Sequence, residues 1–168
     1  MENLLLNAQA QSHYVNRWFA AKPEWRDWVA QRATRALDAA QIRQVFDEVF
    51  PSLEGEPVDE AVLMRKLREV RQKVMLWSGV RDLNNLAPLA EITEAMTSLA
   101  EQAIERAMAH LEKDLSLTHG LPYQANGQIM PLWVVGMGKL GGRELNVSSD
   151  IDLIFVYDDD GETRDGPK

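Results

Sequence analysis

Apolar residues recur at helical spacing through the first two-thirds of the chain. Ser12 is placed to cap a helix that carries Val15, Trp18 and Phe19 on one face. Pro23 suits the first turn of a second helix, with Trp25, Trp28 and Val29. Ile42, Val45, Phe46, Val49 and Phe50 follow the i, i+3, i+4, i+7, i+8 pattern of a buried helix stripe. Pro51 stops that helix, and Pro51 to Pro57, with Gly55, reads as a loop. A further stripe runs through Leu63, Leu67, Val70, Val74 and Trp77, with Gly79 as its expected end. Another runs through Leu89, Ile92, Met96, Leu99 and Ala103 towards Leu111. Long amphipathic helices of this kind predict an antiparallel bundle. The tryptophans and methionines sit at helical spacing, so core packing explains them better than a ligand box.

The pattern changes after Ser116. Gly120, Pro122, Asn126 and Gly127 give residues 117–130 a loop composition. Pro131 to Val135 is a short apolar run bounded by Gly136, as expected of a buried strand. A glycine-rich segment, Gly136 to Gly142, follows. Arg143 to Asn146 is long enough for about one helical turn. Ile151 to Tyr157 is a second β-rich run, closed by a turn at Asp158 to Gly161. The expected fold is mainly α with a small α+β part. A helical module spans 1–125, and a unit built on strand, glycine turn and strand spans 126–168.

Composition narrows the function classes. The chain has 168 residues, with 45% hydrophobic and 26% charged residues, a globular balance. No run of 18 apolar residues is present, so no membrane span is expected. Met1-Glu2-Asn3 does not open a secretory signal. The absence of cysteine excludes disulfides and thiolate chemistry and fits a reducing cytoplasm. A net charge of −8 argues against nucleic acid as a partner. Eight acids and three bases lie between Arg143 and Lys168, so most of the excess is at that end. From Asp158 onward it reads as a solvated acidic tail.

Asp150 and Asp152 call for a different explanation. They flank Ile151 at the expected start of the second strand, where residues two apart face the same way. Their Cα atoms would then lie roughly 6.6 Å apart. Paired carboxylates supply the hard oxygen ligands that Mg²⁺ takes, with phosphate and water completing its shell. Gly141 and Gly142 allow a backbone to approach a phosphate closely. Ser148 and Ser149 add hydroxyls just before the first Asp, and Lys139 adds a nearby cation. Gly-Gly, seven residues, then Asp-x-Asp is what nucleotidyl transfer needs: one part holds phosphate and the other brings the metal. A lone Asp-x-Asp would more often be an exposed strand end, and the upstream glycines shift that balance.

Two other glycine readings compete. Gly136-x-Gly138-x-x-Gly141 after a strand matches a dinucleotide fingerprint, with Asp158 near the distance expected of a ribose-binding acid. That fold needs a full crossover helix, and residues 143–147 are too few for one. A P-loop is weaker still, because Leu140 follows Lys139 where Ser or Thr is required.

The stretch from Val135 to Phe155, VGMGKLGGRELNVSSDIDLIF, closely resembles the signature of bifunctional glutamine synthetase adenylyltransferase/adenylyl-removing enzymes, members of the DNA polymerase β-like nucleotidyltransferase superfamily. The resemblance is strong over about 21 residues. It implies that residues 126–168 begin a truncated nucleotidyltransferase domain of the adenylyl-removing half, which releases AMP from a glutamine synthetase tyrosine by phosphorolysis, giving ADP. A second half attaches AMP from ATP, and the PII signal protein and glutamine govern both. Asp150 and Asp152 would be catalytic metal ligands for Mg²⁺. Gly141, Gly142, Ser148 and Ser149 would hold the phosphates of ATP, ADP or free phosphate. The superfamily also uses a third carboxylate from a later strand, so this chain is expected to be a truncation, inactive alone. The rival expectations are another nucleotidyltransferase of the superfamily and a non-enzymatic helical docking module.

Overall fold

The computed structural model describes residues 1–50 and 59–167. The expected stop at Pro51 and the loop through Pro57 lie outside the described residues. Ser12 caps as expected: its Oγ accepts a hydrogen bond from the Val15 amide, opening α2 (His13–Ala21). A helix that the periodicity did not reveal, α1 (Glu2–Gln11), precedes it and buries only Leu5 and Ala8. Its three consecutive leucines, Leu4 to Leu6, blur the helical period. Pro23 opens α3 (Pro23–Ala30), and the Asp38 carboxylate caps α4 (Ala39–Val49).

Helix α5 (Glu60–Leu83) is the hub: α1, α2, α3, α4 and α6 all pack on it. The expected stop at Gly79 does not occur. Gly79 sits inside α5, where a Cβ would lie 3.8 Å from a Val15 methyl group. Its spacing marks a close helix crossing and not a terminus. The helix ends at Leu83; two residues on, Asn85 takes the left-handed conformation (φ 55°) while the Leu86 amide bonds back to the Arg81 carbonyl. A short connection then leads into α6 (Leu89–His119), so α5 and α6 run as antiparallel neighbours. Trp77, Phe46, Leu76, Ile42 and Val80 are fully buried between the helices, as expected of core residues.

One polar cluster sits in that core. Arg81 is buried and forks onto Glu91 at 2.7 and 3.0 Å. It also donates to the Ala33 and Leu86 carbonyls, and Glu91 accepts from the Leu37 amide. The pair therefore fastens the 33–37 segment and the α5–α6 connection to one point.

Helix α6 is 31 residues long, about 46 Å. It passes the expected limit near Leu111 and carries the last part of the chain on its far end. Two small antiparallel sheets follow. In one, β1 (Gly120–Tyr123) pairs with β4 (Glu162–Asp165). In the other, β2 (Leu132–Gly136) pairs with β3 (Leu153–Tyr157). The acidic end is therefore not merely a solvated tail, because Glu162 to Asp165 form a strand. Its side chains carry no β pattern; the pairing comes from the backbone and from Arg164 resting on the Tyr123 ring. The β2–β3 hairpin leaves Trp133, Phe155 and Tyr157 about half exposed.

Candidate functional site

The glycine segment does not continue β2. At Met137 the backbone leaves the strand and makes one helical turn, α7 (Gly138–Gly141). The expected helical turn at Arg143 to Asn146 is thus displaced upstream onto the glycines. Two glycines explain why. Gly138 has φ 52°, which disfavours any side chain. A Cβ on Gly141 would lie 2.5 Å from the Gly136 carbonyl oxygen, so α7 folds back directly on the end of β2. Gly142 is different: a Cβ there would meet the Gly138 carbonyl oxygen at an ordinary 3.5 Å. Its lack of a side chain is not demanded by packing within the chain.

The turn closes at Arg143. The Arg143 amide donates to the Leu140 carbonyl and the Glu144 amide to the Lys139 carbonyl, and Arg143 takes φ 57°. That bonding is the Schellman pattern, in which the left-handed position is usually glycine. Leu140 and Leu145, on either side, are buried against the helices.

Asn146 organises the next segment, and sequence reasoning missed it. Its side-chain oxygen accepts from the Ser148 amide, the Ser148 hydroxyl and the Ser149 hydroxyl, the last at 2.8 Å. The signal was present: Asn two and three residues before serines is Asx-turn chemistry. Lys139 reaches the Ser149 hydroxyl at 3.5 Å. The structure thus brings α7, Lys139 and both serines together.

Asp150 and Asp152 lie just before β3, not within it. The Met137 amide bonds the Asp152 carbonyl, extending the ladder by one step, but Asp150 is beyond it. The chain turns into α7 after Gly136, so no strand remains for Asp150 to pair with. Asp152 is drawn to the glycine turn: a Cβ on Gly138 would be 3.4 Å from its Oδ2. Both aspartates are exposed. A cavity of about 410 Å³ opens beside Asp150, with Leu67, Met96 and Leu99 in its wall and Arg68 and Arg71 among its lining residues.

This arrangement decides the competing glycine readings. β2 and β3 are antiparallel and α7 has four residues, so the dinucleotide fold with its parallel crossover is excluded. What remains is a strand, a glycine turn folded back on it, paired hydroxyls with a lysine, and two exposed carboxylates leading the next strand. Such a group suits a phosphate-bearing ligand and a hard cation.

The family described as glutamate-ammonia ligase adenylyltransferase matches residues 2–168. The bifunctional glutamine synthetase adenylyltransferase/adenylyl-removing enzyme of Ralstonia nicotianae is 45% identical over 158 residues, covering 94% of this chain and 16% of that protein. The protein of the same name from Burkholderia mallei is 46% identical over 157 residues, covering 94% of this chain and 17% of its own length. That of Thioalkalivibrio sulfidiphilus is 52% identical over 134 residues, covering 80% of this chain and 13% of its own length. The chain belongs to the glutamate-ammonia ligase adenylyltransferase family, and it spans about a sixth of the length of the curated relatives it matches. Among the described residues no helix is long and apolar enough to cross a membrane.

Proposed function

We propose that this chain contributes the phosphate- and metal-binding turn of an adenylyl-removing domain. The domain would use Mg²⁺ to move AMP from a glutamine synthetase tyrosine to inorganic phosphate. The observation that carries this reading is the meeting of α7, Lys139, Ser148 and Ser149 next to Asp150 and Asp152, in a chain of this family. Relatives named for both adenylyl transfer and adenylyl removal support the substrate. In this reading residues 1–125 form the helical module and 126–168 begin the catalytic domain. ATP serves the opposite reaction elsewhere in the enzyme, the PII signal protein and glutamine set its direction, and the enzyme works in the cytoplasm.

The donor set fits magnesium in part. Asp150 and Asp152 are hard-oxygen ligands, and neither carboxylate has a hydrogen bond or ion pair among the described residues. No group of three or more candidate ligands occurs among those residues, so a third carboxylate would come from elsewhere in the enzyme. When bound, the ion would neutralise charge on the phosphoryl group being transferred. Gly142, unobstructed by its own fold, would leave room for a phosphate to come close to the turn. Ser149 and Lys139 would orient the attacking phosphate, and positioning of this kind supplies much of the rate in phosphoryl transfer.

The test uses the full-length protein with adenylylated glutamine synthetase, phosphate and Mg²⁺, following ADP release. Asp150→Asn and Asp152→Asn should each lower the rate by about a hundredfold or more. Chelation of Mg²⁺ should abolish it, and Mg²⁺ should restore it. Absence of ADP from the unaltered protein, or full activity in both variants, would refute the proposal.

A further inference from the structure

Arg143 occupies a backbone position that suits glycine. In an L-residue the left-handed conformation is strained, and at φ 57° Arg143 adopts it. Each of the three nitrogens of its side chain makes a hydrogen bond to α6. Its Nε donates to Glu94 Oε2 at 3.1 Å, one terminal nitrogen to Glu94 Oε1 at 2.5 Å, and the other to Glu101 Oε1 at 2.7 Å. Glu94 and Glu101 are seven residues apart, two turns along one face of α6. The guanidinium therefore spans two turns of the longest helix while its own backbone closes the glycine turn.

An exposed ion pair is worth little by itself. Two features set this one apart. The fork is bidentate on Glu94, which fixes direction as well as distance. Its attachment point is also flanked by the buried Leu140 and Leu145, so the turn is held from below by packing and from the side by charge. Burial alone fixes how deep α7 sits. The fork adds a second attachment that resists rotation about that anchor.

We infer that Arg143 is a positioning residue: acting through Glu94 and Glu101, it holds the glycine turn at the orientation that receives phosphate. This rests on the function proposed above. Arg143 itself need not touch the substrate, because its donors already point at α6.

The experiment uses the full-length enzyme and four variants: Arg143→Gly, Arg143→Gln, the pair Glu94→Gln with Glu101→Gln, and Arg143→Gln combined with that pair. Arg143→Gly supplies the residue best suited to the backbone while removing the fork. Each of the first three should raise the KM for phosphate about tenfold, as a loosened binding group does. The melting temperature should stay within a few degrees, because the pairs are exposed. The combined variant should lose no more than Arg143→Gln alone, since one coupling is removed in every case. Three results would overturn the inference: an unchanged KM in Arg143→Gly, losses that add in the combined variant, or loss in the Arg143 variants with the glutamine pair unaffected. The last would mean that Arg143 meets phosphate directly. Failure of the wider proposal is seen separately, in the unaltered enzyme, as no ADP release; that result removes this inference with it.

Discussion

Gly141 and Gly142 are adjacent, and the structure assigns them opposite sensitivities. In Gly141→Ala the new methyl group would lie 2.5 Å from the Gly136 carbonyl oxygen and 3.3 Å from its carbonyl carbon. Ordinary C···O contacts are about 3.3–3.6 Å, so the overlap is roughly 0.8–1.1 Å. Both partners are backbone, so α7 must move off the end of β2. Overpacking of this kind costs about 1–3 kcal/mol, against about 0.4–1 kcal/mol regained from the less flexible unfolded chain. A net loss of roughly 1–2 kcal/mol is expected. Gly142→Ala meets nothing closer than 3.5 Å and has φ −81° and ψ −2°, which alanine accepts. It should be neutral or stabilising by up to about 1 kcal/mol. Chemical denaturation, with amide exchange along the β2–β3 ladder as a local readout, measures both. In the full-length enzyme Gly142→Ala should nevertheless lose activity, because the methyl group would occupy space that the proposed function assigns to phosphate. Equal stability of the two variants, or Gly142→Ala as the less stable, would refute the packing argument. Full activity of Gly142→Ala would refute the phosphate role.

Two further predictions follow from the charged pairs. Arg81→Met removes one member of a buried, fully bonded pair, and should cost about 3–5 kcal/mol in denaturant unfolding; adding Glu91→Leu should recover much of that loss, because no uncompensated carboxylate remains. The Arg143 hydrogen bonds, foremost, hold the Glu94 carboxyl below its usual pKa, against an opposing effect of burial. A lowered pKa gives a contribution that is complete above the ordinary carboxylate range and lost as pH falls from there through the lowered value. The Arg143 side-chain N–H resonance should therefore be displaced at neutral pH and return towards the free-arginine position in acid; an acid-insensitive resonance would count against the pairing.

Most of the helical part was legible because burial imposes a period. Ile42 to Phe50, the α5 stripe and, in α6, Ile92, Met96 and Leu99 pack inward where their spacing placed them, whereas Leu89 and Leu111 at the ends of the α6 stripe are exposed; the Ser12 cap is local chemistry within four residues. Gly79 misled because glycine has two uses: ending a helix and admitting a neighbour. Only the position of Val15 across the crossing tells which applies. Pairing of β1 with β4 was illegible for a related reason. Partners about forty residues apart are chosen by backbone hydrogen bonds, which leave no mark on side-chain pattern.

The site divides along the same line. The amino-acid sequence by itself determined the chemical kit of glycines, hydroxyls, a lysine and two carboxylates, because residue type alone sets what a group can bind. Only the tertiary structure decided that the helical turn falls on Gly138 to Gly141, folded back on the end of β2, and that Arg143 reaches two turns of α6. The physical reason is that those facts depend on directions in space. A carbonyl 2.5 Å from an absent methyl group, or two carboxylates seven residues apart, acquire meaning once the chain has folded them against a neighbour.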